Sequence, residues 1–135
     1  MKYILALMLL LPLTTCSDEI FLEPDSHEAI LGTWRLTEVL ADPGDGSGTY
    51  TPVDSDKTIL FEGNGTYTSN GAVCSFSITA EENTVGTYEI ISNSEFIINC
   101  PEENLADVSL ILENGVLIAH FPCIEPCGQK YIKID

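Results

Sequence analysis

Positive charge is what this chain has least of: 5 Lys and Arg stand against 21 Asp and Glu, for a formal net charge of −16. Binding to a phosphate backbone works by basic side chains releasing counterions, so the balance excludes nucleic acid as a partner. It also argues against the folded part adhering to an anionic lipid surface. Histidine is nearly missing as well, with 2 in 135 residues, His27 and His120. A hydrolase needs a nucleophile, a base and an orienting acid, and His27 and His120 are the only imidazoles available as base. There is no Gly-x-Ser-x-Gly, no Gly-rich phosphate loop and no His-Glu-x-x-His. Carboxylates are too abundant for any pair of them to be diagnostic. The expectation is a protein that is not an enzyme and carries no cofactor. No internal repeat or low-complexity tract is present, and no apolar run reaches the roughly 20 residues that a membrane-crossing helix needs.

One shorter apolar run is present. Lys2 precedes Ile4–Leu13 (ILALMLLLPL), which ends at small polar residues. A positive start, an apolar core and a small-residue end make up a secretory leader. A buried core helix would carry a polar face, and this run has none. At its end, Leu13-Thr14-Thr15-Cys16 resembles a bacterial lipobox, with Thr15 where Gly, Ala or Ser is usual. The resemblance implies that Cys16 is acylated and becomes the new N-terminus. Each buried CH₂ of an acyl chain contributes about 0.8 kcal/mol, so two or three chains on one cysteine hold a protein stably at a membrane. Ser17 in place of aspartate implies the outer membrane. The acids Asp18 and Glu19 resemble a surface-export signal, and a solvated spacer is the plainer reading of them. The expected organisation is therefore a leader over residues 1–15, a lipidated cysteine and acidic tether over 16–28, and a domain over 29–135.

Removal of the leader leaves about 120 residues, enough for one domain with a real core. Besides Cys16, four cysteines remain: Cys74, Cys100, Cys123 and Cys127. An even number in an exported domain reads as two disulfides, with three pairings open. The pairing expected here is Cys74–Cys100 and Cys123–Cys127. The first closes a loop of about 25 residues, worth roughly 3 kcal/mol on the chain-entropy model, and the second removes little unfolded-state entropy.

Asp25-Ser26-His27-Glu28 has the form of a capping box, opening one helical turn that stops at Gly32. After it, alternation and β-branched residues mark strands over 32–40, 58–61, 66–68, 72–78, 85–91, 95–100, 107–113, 116–121 and 130–134. On the fourth of these, Ala72, Cys74, Phe76 and Ile78 share a face, which sets Cys74 inward. Phe96, Ile98 and Cys100 share a face as well, so a bridge across the sheet is geometrically reasonable. Asn114-Gly115 is the strongest two-residue hairpin signal, and Glu62-Gly63-Asn64-Gly65 is another turn. About eight strands with short turns describe an all-β antiparallel meander that closes into a barrel or forms an open sandwich.

Two candidate metal sets have plainer readings. Asp42, Asp45 and Ser47, with Asp54 and Asp56 further on, carry the oxygens Ca²⁺ prefers. They miss the EF-hand spacing, and a Pro- and Gly-rich surface turn accounts for them. His120, Cys123, Cys127 and Cys100 contain only one close cysteine pair in a compartment that favours disulfides, so no zinc is expected. On its strand His120 shares a face with Val116 and Ile118, which reads as a core or rim histidine.

A helical turn followed by Gly32-Thr33-Trp34 resembles the opening of lipocalin-type barrels. Phe61-Glu62-Gly63-Asn64-Gly65-Thr66-Tyr67 is similar to a hairpin of lipocalin-like and META-type lipoprotein domains, and Cys123-Ile124-Glu125-Pro126-Cys127 before a Lys-aromatic strand fits the same group. The resemblance covers roughly residues 31–134. A META domain is the second resemblance, through Gly32–Leu36 and Cys100-Pro101, although the usual Gly-Cys-Asn centre is absent around Cys74. The lipocalin resemblance implies that Trp34 plugs the closed end of the barrel and that a basic residue of the last strand packs over it. Lys133 or Lys130 can take that role, and Lys133 is the one expected; Arg35 should point the other way. It implies one of two functions: a membrane-anchored carrier or sensor of a small apolar ligand, or an envelope module with a filled core and a protein partner.

Overall fold

The computed structural model describes residues 26–102 and 105–135. The leader, Cys16 and most of the acidic tether lie outside the described residues. The chain opens with a single helical turn, α1 (Ser26–Ile30), and then runs through β1 (Gly32–Ala41), β2 (Thr51–Pro52), β3 (Thr58–Phe61), β4 (Thr66–Ser69), β5 (Thr84–Ile90), β6 (Glu95–Asn99), β7 (Val108–Glu113), β8 (Val116–His120) and β9 (Cys127–Lys133).

From β3 onward each strand pairs antiparallel with the next, and β9 returns to pair with β1 from Trp34 opposite Lys133 to Ala41 opposite Cys127. The result is a closed eight-stranded barrel of β1 and β3–β9, with β2 a two-residue strand on its rim. Closure leaves no long unpaired edge to recruit another chain. One register shift, between Leu36 and Glu38, bulges β1 at Thr37. Before it β1 pairs with β3 and after it with β2, the sharp bend that an unpaired extra residue provides.

Alternation along each strand sends Trp34 and Leu36, Ile59 and Phe61, Phe96 and Ile98, and Leu117 and Ala119 inward, all buried. With eight strands the interior is just wide enough for side chains to fill, and these do. The turns sort by length onto the two ends. One end, the floor, has the short connections at 62–65, 91–94 and 114–115, together with α1. Asn114 and Gly115 both have positive φ, 51° and 78°, the backbone of a type I′ hairpin whose twist matches the flanking strands. The other end, the mouth, has the connections at 42–57, 70–83 and 121–126 and the described residues 100–102 and 105–107.

Three expectations need correction. Residues 72–78 form no strand: the segment is a bent loop, because its backbone groups bond to side chains at the mouth and Cys74 is drawn to Cys100. The closing strand starts at Cys127 and not at Lys130, since pairing with both β1 and β8 holds it extended from there. On β8 the inward face is Leu117 and Ala119, so His120 is exposed and points out.

Candidate functional site

The floor is closed by packing. Trp34, 1 % exposed, donates its indole N–H to the Ile30 carbonyl of α1 at 2.7 Å. Lys133 Nζ lies 5.8 Å from the Trp34 ring centroid, within cation–π range. Lys130 is elsewhere, 4.3 Å over the Tyr50 ring and 3.4 Å from Glu38. Arg35 is exposed and reaches Asp56 at 3.4 Å. Phe61 meets Tyr88 edge-on at 5.1 Å, and the Tyr88 hydroxyl donates to the Glu62 carbonyl at 2.8 Å.

The mouth is closed by a different device, the loop 70–83. As the chain leaves β4, Asn70 binds the start of the neighbouring β3 twice, its Oδ1 accepting from Thr58 N at 2.7 Å and its Nδ2 donating to Asp56 O at 2.9 Å. The next residue must be glycine: a Cβ on Gly71 would lie 2.4 Å from the Thr79 carbonyl and 3.0 Å from Lys57 Cγ. The two legs of the loop therefore close tightly over the stem of Lys57. Cys74–Cys100, with Cα atoms 5.7 Å apart, ties one leg to the end of β6, and Phe76 packs edge-on against Phe121 at 5.5 Å.

Beneath this lid the barrel is polar. Lys57 is 0 % exposed and its Nζ donates to the Ser77 carbonyl at 2.6 Å and to Gln129 Oε1 at 3.3 Å. Gln129, fully buried, donates from Nε2 to the same Ser77 carbonyl at 3.0 Å. Its Oε1 also accepts from the Tyr131 hydroxyl at 2.5 Å. Ser55 Oγ donates to the Ile78 carbonyl at 2.6 Å. Burial pushes Lys57 down to about 8 and Tyr131 well above the usual phenol range, because desolvation disfavours each charged form. Neither ion pair among the described residues involves Lys57. Beside the lid a pocket of about 350 Å³ is bordered by Tyr67, Val73, Val85 and Leu105 together with the acids Glu82 and Glu102.

Residues 30–112 match the family model of the lipocalin-like domain. The chain belongs to the lipocalin-like domain family. No curated protein and no solved structure matches it. The matched stretch runs from the floor through Lys57 and the lid, and ends before β9, the strand that carries Gln129 and Tyr131.

In this lipocalin-like barrel the remaining candidate residues fall as follows. Cys123 in the 121–126 connection is bonded to Cys127 at the start of β9, so with Cys74–Cys100 formed and His120 exposed the four candidate zinc ligands are not assembled. Asp42 turns on its own loop: Oδ1 accepts from Gly44 N and Gly46 N at 2.7 and 3.0 Å, and Oδ2 from Gly48 N at 2.7 Å. Those bonds hold its carboxyl below the usual range. Sequence reading missed Lys57, Gln129 and Ser55. The signal was the phase of alternation, since Lys57 lies two before Ile59 and Gln129 two before Tyr131, each on the inward face.

Proposed function

We propose that this lipocalin-like protein is a membrane-anchored binder of a small apolar molecule, taken at the mouth of the barrel, and not an enzyme. One observation carries the reading: the mouth is covered by a loop that enters the barrel through a few side-chain hydrogen bonds and borders a pocket of about 350 Å³. That is the lower end of the volume range of ligand sites. The interior below is filled, so the ligand sits at the mouth and not along the axis. The anchor is Cys16, following the leader of residues 1–15, with residues 16–28 as the spacer and the outer membrane as the site of attachment. Two disulfides suit such an oxidising compartment.

The test of binding is uptake of a neutral fluorescent probe such as N-phenyl-1-naphthylamine. Saturable uptake is expected, reduced in Ala72→Trp, which fills the pocket. A linear, non-saturating signal equal in both proteins defeats the reading. The test of anchoring is fractionation of cells expressing Cys16→Ser: the variant should leave the membrane fraction, and its retention there would overturn the tether.

A second reading has its own support. Trp34, Phe61, Phe96, Leu110 and Tyr131 are all essentially inaccessible, so an envelope module that holds a protein partner through its outer loops would need no cavity. Crosslinking in intact cells that captures one partner, lost on deletion of 44–48 but not in Ala72→Trp, would favour it over ligand binding.

A further inference from the structure

The lid meets the barrel in an unusual way. Two buried side chains, Lys57 at the end of the 42–57 connection and Gln129 on β9, converge with their N–H groups on one oxygen, the Ser77 carbonyl. Next to that oxygen in the chain, Phe76 presents an aromatic ring to Phe121. An acceptor oxygen joined by a short link to an apolar ring is the outline of an amphiphilic acid. The ammonium has three N–H groups, and among the described residues its two acceptors are both neutral. A buried cation facing only neutral oxygens is under-compensated, and a carboxylate is a stronger acceptor for it than a carbonyl. The chain carries 21 acidic residues, yet none pairs with this lysine among the described residues.

We propose that Ser75–Ile78 occupies the mouth as an internal stand-in for the ligand, and that the ligand is a monocarboxylate with an aryl or alkyl tail. Its carboxylate is received by Lys57 Nζ and Gln129 Nε2 in place of the Ser77 carbonyl, and its tail lies against Phe121 in place of Phe76. This rests on the mouth being a ligand site and adds the chemical class. The pocket beside Ala72–Ser75 gives that leg room to move outward, and the Cys74–Cys100 bridge keeps the displaced loop attached at one side. Lid and ligand compete for the same donors, so apparent affinity carries the fraction of time the lid is away.

The experiment compares 3-phenylpropionate with neutral 3-phenylpropan-1-ol, titrated calorimetrically into the full chain. The acid should bind roughly tenfold or more tighter, the range expected of hydrogen bonds to a charged group. Lys57→Met should erase that preference. Phe76→Ala, a change at a partly exposed position that leaves the barrel intact, should weaken the lid and raise affinity for the acid several-fold. Equal binding of acid and alcohol would sink the carboxylate assignment while leaving an apolar mouth site standing. Failure of the acid to bind a protein that takes up the neutral probe would do the same. An unchanged or reduced affinity in Phe76→Ala would overturn competition by the lid, whether or not Lys57→Met folds.

Discussion

The two ends of this barrel are closed by opposite means. At the floor a helical turn and short hairpins bury Ile30, Trp34 and Phe61, and the Trp34 indole and the Tyr88 hydroxyl find backbone partners within the same end, at Ile30 and at Glu62. At the mouth a long loop is held by a buried lysine and serine of the 42–57 connection, by a glutamine reaching up from inside the barrel, and by a disulfide. Apolar packing is hard to undo in part, because removing any piece leaves a cavity. A set of side-chain hydrogen bonds to one loop has a discrete alternative, in which other acceptors take the loop's place. The floor is built to stay and the mouth is built to exchange.

The comparison is most severely tested at Trp34. Trp34→Ala removes the largest buried side chain and should cost about 3–5 kcal/mol, read as a large drop in the urea midpoint with little change in slope. A loss under about 1 kcal/mol would mean that the floor is not the rigid end. Next in size are the disulfides. The Cys74→Ser/Cys100→Ser pair opens a loop with a sequence separation of 26 and should lose roughly 3 kcal/mol. Removing Cys123–Cys127, with a separation of 4, should lose about 2 kcal/mol or less on the same chain-entropy scaling. The first change should also expose 70–83 to protease, while the second should not. Equal losses and equal cleavage would remove the distinction between a tethered lid and an ordinary connection.

Lys57 provides the pH test. Its ordinary value of 10.5 is lowered to about 8 in the folded protein, so between about pH 8 and 10.5 the unfolded chain holds more protons at this site than the native one. Stability from this group therefore rises with pH across that window, by up to about 3 kcal/mol, since each tenfold change in proton affinity is worth about 1.4 kcal/mol. Tyr131, raised by burial, acts in the opposite sense above pH 10, where the unfolded phenol ionises first. Chemical denaturation should show a gain from pH 8 to 10 that reverses higher up, and Lys57→Met should flatten the gain. The same substitution should be neutral or stabilising by about 1 kcal/mol at pH 7, since an apolar side chain of similar length avoids a buried charge. Ser77 O and Gln129 Oε1 meanwhile keep their other donors. A strongly destabilised Lys57→Met at pH 7 would make the lysine a structural post and the mouth another floor.

The floor is far more legible in the sequence than the mouth, and the reasons are physical. Gly32-Thr33-Trp34, Asn114-Gly115 and the alternating strands obey local rules, in which a residue's surroundings follow from its neighbours in the chain. The 72–78 segment misleads because its apparent alternation of Ala72, Cys74, Phe76 and Ile78 is served by contacts from distant positions: Ser55, Lys57, Cys100, Phe121 and Gln129. The lysine itself looks like surface, since a charged residue within an acidic chain is ordinarily solvated. Its place two before Ile59 is the contrary sign. The phase of His120 misleads for a related reason: Val116 and Ile118 are as apolar as Leu117 and Ala119, and periodicity cannot choose between two apolar faces.

The smallest expected effect lies in the other lysine of the comparison. Lys133 is exposed, and its Nζ hangs 5.8 Å from the Trp34 ring, where water shares the ammonium. A cation–π contact of that kind contributes about 0.5–1 kcal/mol, and Lys133→Met keeps the apolar stem that covers the ring while deleting the charge. The loss should be about 0.5 kcal/mol, and high salt should shrink it because an exposed charge is screened. Removing the charge from Lys57 should instead alter ligand preference and pH response with no loss at pH 7. If Lys133→Met cost as much as truncating Trp34, the floor would depend on electrostatics and not on packing, and the contrast between the two ends would collapse.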